Sequence, residues 1–130
     1  MTPIDYALTP LRKYADFSGR ARRAEYWWFY LLMIIGYVVA TILDSLVGLE
    51  VFGPYGILTS IFGLAMIVPS LAAGVRRLHD TDRSGWWLLI GLIPLIGAIV
   101  ILVFLVSQGT QGDNRFGADP AADDRLIAPV

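Results

Sequence analysis

Two long stretches without a charged residue constrain this chain more than any other feature. Residues 51–75 and residues 84–107 contain no Asp, Glu, Lys or Arg, and residues 26–43 form a third such run. Each run approaches the length that an α-helix needs to cross the roughly 30 Å hydrocarbon core of a bilayer. Since 56% of the residues are hydrophobic as well, the sequence predicts an all-α polytopic membrane protein.

The predicted architecture is one membrane domain, a small helical bundle that covers residues 1–130. Its transmembrane helices are expected at residues 26–44, 54–75 and 86–107, followed by a turn-rich tail over residues 108–130. Pro69 lies inside the second helix, where it leaves the carbonyl of Ala65 without its usual helical donor. A freed carbonyl in lipid needs another donor, which a neighbouring segment has to supply.

A short N-terminal helix is predicted to precede the spans and to lie in the membrane interface. Thr9 is a suitable N-cap and Pro10 suits the first helical position. Leu11 and Tyr14 would then share an apolar face, as in an interfacial amphipathic helix. The alternative is a solvated, irregular arm.

The third span allows two paths, because Pro94 and Gly97 interrupt its middle. A single full crossing is the simpler structure and is the one we expect. The alternative is a re-entrant hairpin whose two arms enter and leave on the same side, provided that protein shields its turn from lipid. The choice decides the side on which residues 108–130 lie.

The distribution of basic residues predicts the orientation. Of the ten basic residues, five precede the first span, three lie between the second and third spans, and none lies between the first and second. Lys and Arg concentrate on the cytoplasmic side of membrane proteins. The N-terminus is therefore predicted to be cytoplasmic.

Charged residues gather at both predicted cytoplasmic edges of the first two spans, and we expect the two edges to meet. Glu25 or Asp80 would then pair with an arginine of the other edge and fix how the spans pack. The alternative is solvated charge that only sets the topology. The candidate polar cluster consists of Arg20, Arg23, Glu25, Arg76, Arg77, His79 and Asp80.

An anionic lipid headgroup is the natural ligand if these arginines are not fully neutralised, because a guanidinium matches phosphate with two parallel hydrogen bonds. On this interpretation Arg76→Ala or Arg77→Ala weakens lipid binding. A partner membrane protein or a second copy of the chain is the other expected partner. Nucleic acid is not expected, since no basic helix or stacking surface is present.

Three segments resemble a known family. They are FSGRARRAEYW at residues 17–27, RRLHD with SGWW at residues 76–80 and 84–87, and GTQGDNRFGADP at residues 109–120. In order and spacing they are similar to the small bacterial inner-membrane proteins grouped as domain of unknown function 805. The resemblance implies a bacterial inner-membrane location and carries no catalytic assignment.

Enzymatic chemistry finds little support in the residues. With no cysteine and one histidine, neither a metal site nor a cofactor is predicted. Ser84, His79 and Asp82 could supply the residue types of a triad but lack its motif. We therefore expect a non-enzymatic role in lipid or partner binding. A transporter or channel component is the alternative, and an enzyme acting on a lipid-linked phosphate comes third.

Overall fold

The fold is built almost entirely of helices, in agreement with the predicted class. The computed structural model describes residues 2–52 and 55–122. Two short antiparallel strands, β1 and β2, join the long helices α2 and α3. In chain order the elements are α1 (Pro3–Arg12), α2 (Arg23–Val47), β1 (Glu50–Phe52), β2 (Tyr55–Gly56), α3 (Ile57–Asp80), a 3₁₀ helix (Gly85–Leu92) and α4 (Ile96–Val106).

Helix α1 begins seven residues before the predicted start. Thr2 is the N-cap and Pro3 is the first helical residue. The Thr-Pro pair that starts the helix is therefore the one at residues 2–3 and not the one at residues 9–10. Asp5 decides between the two, because it completes a reciprocal capping box with Thr2. Thr9 has Arg12 at the corresponding position, which cannot accept such a bond. The prediction of a helix start at Thr9 was therefore wrong.

Helices α2 and α3, of 25 and 24 residues, are long and apolar enough to cross a membrane. Helix α3 continues to Asp80, so the segment from Arg76 to Asp80 is helical rather than part of a loop. The helix ends where Asp82 adopts a positive φ of 59°. A residue in this left-handed conformation cannot continue a right-handed helix.

Helices α2 and α3 approach closely through a glycine and are tied by a buried carboxylate. A Cβ on Gly36 would lie 2.3 Å from Cζ of Phe62, so any larger residue there would have to displace the Phe62 ring. At the β-strand end of the bundle, Asp44 accepts hydrogen bonds from the backbone N–H groups of Leu58 and Thr59, at 3.0 and 2.9 Å. Asp44 thus caps the first turn of α3 from a neighbouring helix.

The carbonyl that Pro69 leaves free has the donor that the sequence argument requires. Helix α3 runs through Pro69, and the hydroxyl of Tyr14 donates a hydrogen bond to the carbonyl oxygen of Ala65. Tyr14 belongs to the segment between α1 and α2. This segment therefore packs along α3 and satisfies a backbone group that lipid could not.

Residues 85–107 form a hairpin, and the expected full crossing was wrong. The 3₁₀ helix starts directly after α3, yet the carbonyl of Leu105, near the end of α4, accepts a 2.9 Å hydrogen bond from Nε of Arg77. Trp87 and Phe104 stack edge to face across the two arms, with 5.6 Å between ring centroids. Both arms therefore end beside the last turns of α3. In the described part of the chain, two helices have the length of a span where three were predicted.

The turn of the hairpin depends on Pro94 and Gly97, the two residues that left both a crossing and a hairpin open in the sequence. A Cβ on Gly97 would lie 1.8 Å from the carbonyl oxygen of Ile90, so the arms can close only at glycine. Pro94 has no N–H to donate and ends the first arm. Leu95 takes the positive φ of 66° that completes the turn.

The hairpin predicts that the tail and the N-terminal region label from one side of the membrane. The chain contains no cysteine, so single-cysteine variants report position cleanly. We expect Ile4→Cys and Gln111→Cys to react with an impermeant maleimide from the same side. Leu46→Cys should react from the opposite side. If Gln111→Cys instead reacts from the same side as Leu46→Cys, residues 85–107 cross the membrane once and do not form a hairpin.

Candidate functional site

Five of the seven predicted cluster residues form a buried ionic network where the hairpin arms, α2 and α3 converge. Charged side chains are rarely buried unless they are paired. Here Arg76 and Arg77 have no exposed surface. The other buried members, each less than a tenth exposed, are Arg20, Glu25 and Asp80.

Glu25 and Arg76 join the first two long helices. Nη1 of Arg76 donates to the Glu25 carboxylate, and Nε donates to the carbonyl oxygen of Asp16 at 3.0 Å. The predicted meeting of the two edges is present in this contact. Nη2 of Arg76 is buried and has no hydrogen-bond partner among the described residues.

Asp80 bridges two arginines. Its Oδ1 accepts from Nε of Arg20 at 3.0 Å, and its Oδ2 accepts from Nη1 of Arg77 at 2.6 Å. Arg77 also donates from Nη2 to the carbonyl oxygen of Ser107. Oδ1 thus ties the α1–α2 connection to α3, whereas Oδ2 holds Arg77 of the same helix, and Arg77 fastens the second arm of the hairpin to α3.

The tail closes over this network. Arg20 donates from Nη2 to the carbonyl oxygen of Thr110 at 2.6 Å and from Nη1 to that of Gly112 at 2.7 Å. A Cβ on Gly109 would lie 2.0 Å from Oδ2 of Asp80, so the tail can approach only at glycine. The entry, central and tail segments singled out in the sequence therefore pack as one unit.

His79 lies at the edge of the network, between the tail and the α1–α2 connection. Its Nδ1 is 2.9 Å from the carbonyl oxygen of Gly19, which assigns the proton on Nδ1 as the donor. The imidazole stacks on Phe116 with 4.0 Å between ring centroids and 3° between planes. Nδ2 of Asn114 donates to the carbonyl of His79 at 2.9 Å. The ring is therefore held rigidly.

Side-chain hydrogen bonds close turns in the tail, which the sequence predicts to be turn-rich. Oδ1 of Asn114 accepts from the N–H of Phe116, and the Asp119 carboxylate accepts from the N–H groups of Gly112 and Ala121, all at 2.9 Å. Residues 123–130 of the predicted tail lie outside the described part of the chain.

Arg23 is the cluster member that the structure places outside the network. Its side chain is exposed, and within residues 2–52 and 55–122 its Nη1 donates one long hydrogen bond, of 3.4 Å, to the carbonyl oxygen of Val106. An open groove of about 380 Å³ runs from Arg23 along Ala24, Trp27, Trp28 and Leu31. A guanidinium at the end of an apolar groove can bind an anion without breaking an existing ion pair.

Three contributing residues were missed as site or packing residues. Asp44 and Tyr14 act through single hydrogen-bonded contacts with α3, described above. Asp16 supplies the carbonyl for Arg76, and hydrogen bonds from the hydroxyl and the N–H of Ser18 lower the pKa of its carboxyl group. A lone acid at the far end of a span was a usable signal for Asp44, whereas no local pattern marks the other two.

The described residues contain no group of three or more His, Cys, Asp or Glu side chains placed to hold a metal ion. The carboxylates of Glu25 and Asp80 are both engaged by guanidinium groups. The network is suited to holding segments together.

Comparison with known proteins agrees with this combination of apolar helices and ordered polar segments. A family model described as "Protein of unknown function (DUF805)" matches residues 14–118. The chain belongs to this family. The matched range includes α2, α3, the hairpin and every residue of the buried network. It thus confirms the resemblance carried by the three segments.

The family's curated relatives include two inner-membrane proteins of Escherichia coli strain K12. "Inner membrane protein YhaH" is 50% identical over 117 residues, which cover 90% of this chain and 97% of the relative. "Inner membrane protein YhaI" is 46% identical over 117 residues, with 90% and 96% covered. "Uncharacterized protein YiiR" of the same strain is 30% identical, with 80% and 85% covered. No solved structure matches.

Their names establish a coarse assignment. This DUF805 chain is a membrane protein whose relatives YhaH and YhaI are named inner-membrane proteins. Its described residues include two helices apolar enough to span a bilayer. Neither the family description nor the relatives' names state an activity. Function therefore has to be argued from the geometry.

Proposed function

We propose that this chain is a non-enzymatic inner-membrane protein that binds an anionic lipid headgroup at the cytoplasmic surface. The N-terminus, the ends of the hairpin and the tail lie on that side, in the orientation that its excess of basic residues supports. The observation that carries the proposal is the exposed guanidinium of Arg23 at the head of an apolar groove.

The arginines differ in how they are paired, and this difference favours Arg23 as the phosphate-binding residue. For Arg76 or Arg77 to bind phosphate, the ligand would have to displace a buried carboxylate, and the loss of a buried ion pair is costly. Arg23 has only a weak contact with one carbonyl. It can offer the rest of its donor fork to a phosphate oxygen pair.

The groove below Arg23 suits the remainder of a lipid. Trp27 and Trp28 line it, and tryptophan rings favour headgroup depth, where one side is apolar and the other is wet. Leu31 continues the same wall one turn further into the membrane. A lipid phosphate on Arg23 therefore places the glycerol region and the start of an acyl chain against these residues.

The test measures lipid retention by native mass spectrometry. We expect Arg23→Ala to retain about fivefold less cardiolipin or phosphatidylglycerol, as a loss of about 1 kcal/mol per basic residue predicts. Arg12→Ala, which removes an exposed charge from the end of α1, is the matched control and should change retention little. Equal retention by Arg23→Ala and unmodified protein would contradict the proposal.

A further inference from the structure

A second cleft lies beside α3 at His79 and does not involve Arg23. Its volume is about 450 Å³, within the usual range of small-molecule pockets. It is bounded by the α1–α2 connection, by α3 and by the first hairpin arm. The lining residues that matter below are Phe17, Leu71, His79, Ser84, Trp86 and Leu89.

The cleft exists because the hairpin starts at glycine. A Cβ on Gly85 would lie 2.7 Å from Cγ1 of Val75, so the 3₁₀ helix can leave α3 at this angle only without a side chain there. Beyond this contact Leu88 and Leu89 face the cleft together with Leu71. The walls of the cleft are therefore apolar.

The polar side chains of the cleft both lie at its mouth. His79 and Ser84 are its polar side chains, and Leu71 lies eight residues before His79 on the same helix, about 12 Å deeper. No Asp or Glu is among the residues that line it. A ligand therefore meets two hydrogen-bonding groups at the mouth and hydrocarbon along its length.

The two polar groups have free capacity. Nδ1 of His79 is bonded to Gly19, and within the described residues Nε2 has no partner. Oγ of Ser84 accepts from the N–H of Trp86 at 3.3 Å, which leaves its own proton to donate. A carboxyl group matches both: one oxygen shares a proton with Nε2, and the other accepts from the serine hydroxyl.

We propose that this cleft binds a long-chain fatty acid, with its carboxyl group on His79 and Ser84 and its chain running past Leu89 towards Leu71. A single chain with a small two-oxygen head fits a narrow cleft that has two polar groups. The neutral imidazole receives the proton of a carboxylic acid, and the imidazolium donates to a carboxylate. One shared proton satisfies the pair in either form. This inference is independent of lipid binding at Arg23.

The test uses a fatty acid brominated close to its carboxyl group, because Trp86 lies beside Ser84 at the mouth of the cleft. The protein is in phosphatidylcholine nanodiscs, which contain no anionic lipid. Bromine quenches tryptophan on contact, and Trp86 lines the cleft. We expect saturable quenching that Trp86→Phe largely removes. Trp87→Phe, the matched control, should keep it, because Trp87 packs on Phe104 outside the cleft.

Head recognition is tested with the brominated methyl ester, on unmodified protein. The ester has no proton to share, and we expect it to bind about tenfold more weakly, the effect of losing one strong hydrogen bond. His79→Phe keeps a ring against Phe116 and should weaken the acid similarly. Equal binding of acid and ester, or equal quenching by a brominated phosphatidylcholine, overturns the proposal.

Discussion

Replacing Asp80 with alanine should lower the free energy of unfolding by about 3–5 kcal/mol, the usual cost of leaving buried charge without its partner. The carboxylate compensates both Arg20 and Arg77, and all three side chains are buried. Its loss leaves two guanidinium groups facing each other across the space it filled. We expect the tail and the second hairpin arm to detach first, because these arginines hold both.

The measurement is a denaturation curve in detergent micelles, followed by circular dichroism. Asp82→Asn is the control, since it removes a carboxylate two residues later and asparagine tolerates the left-handed backbone at this position. That carboxylate pairs with Arg115 at 3.3 Å, and both side chains are about half exposed or more. An exposed pair contributes about 1 kcal/mol at most. If the two variants lose the same stability, Asp80 does not organise a buried network.

Replacing Glu25 alone or Arg76 alone with methionine should each destabilise the protein by about 3–5 kcal/mol, while the double replacement should lose much less. Each single change leaves one buried charge uncompensated between α2 and α3. The double change removes both charges and keeps apolar volume at the contact. The hydrogen bond from Arg76 to the carbonyl of Asp16 is lost in both variants that lack Arg76.

A double-mutant cycle extracts the coupling between the two side chains. Chemical denaturation of the four proteins under one condition supplies the data. Strong positive coupling is expected, because in each single variant the remaining charge is the main cost. A double variant whose loss equals the sum of the single losses would show that the Glu25–Arg76 contact does not hold the two helices together.

The sequence predicts those parts of the fold that the surrounding lipid imposes. Lipid requires long apolar helices, so the runs without charge locate α2 and α3 to within a few residues. The same reasoning predicts that the Ala65 carbonyl must find a donor. The mixture of acids and bases at two span ends also predicts that Glu25 or Asp80 pairs with arginine, and the structure has both pairs.

The remaining features depend on contacts between distant segments. Residues 85–107 form a hairpin and do not cross once because Arg77 donates hydrogen bonds to the carbonyl oxygens of Leu105 and Ser107. No local sequence pattern predicts that contact. The identity of the Ala65 donor, Tyr14, has the same origin. Helix α1 is different, because Asp5 after Thr2 was a readable signal that points to the earlier start.

The candidate cluster was predicted as a set, but the roles of its members were not. Nothing in the spacing separates Arg23, which is exposed, from Arg20 and Arg76, which are buried. Burial follows from where the tail packs, and the tail is brought back by the hairpin. Assigning a ligand to one arginine therefore requires the tertiary structure.

The hairpin has a consequence for the two halves of the bilayer. Eight 3₁₀ residues and eleven α-helical residues each advance about 16 Å, roughly half of a 30 Å core. With α2 and α3 crossing the bilayer as proposed, four of the described helical segments displace lipid from the monolayer that contains the hairpin, and two displace it from the other. On this proposed embedding we expect the molecule to have the cross-section of a wedge and to expand one monolayer more than its opposite.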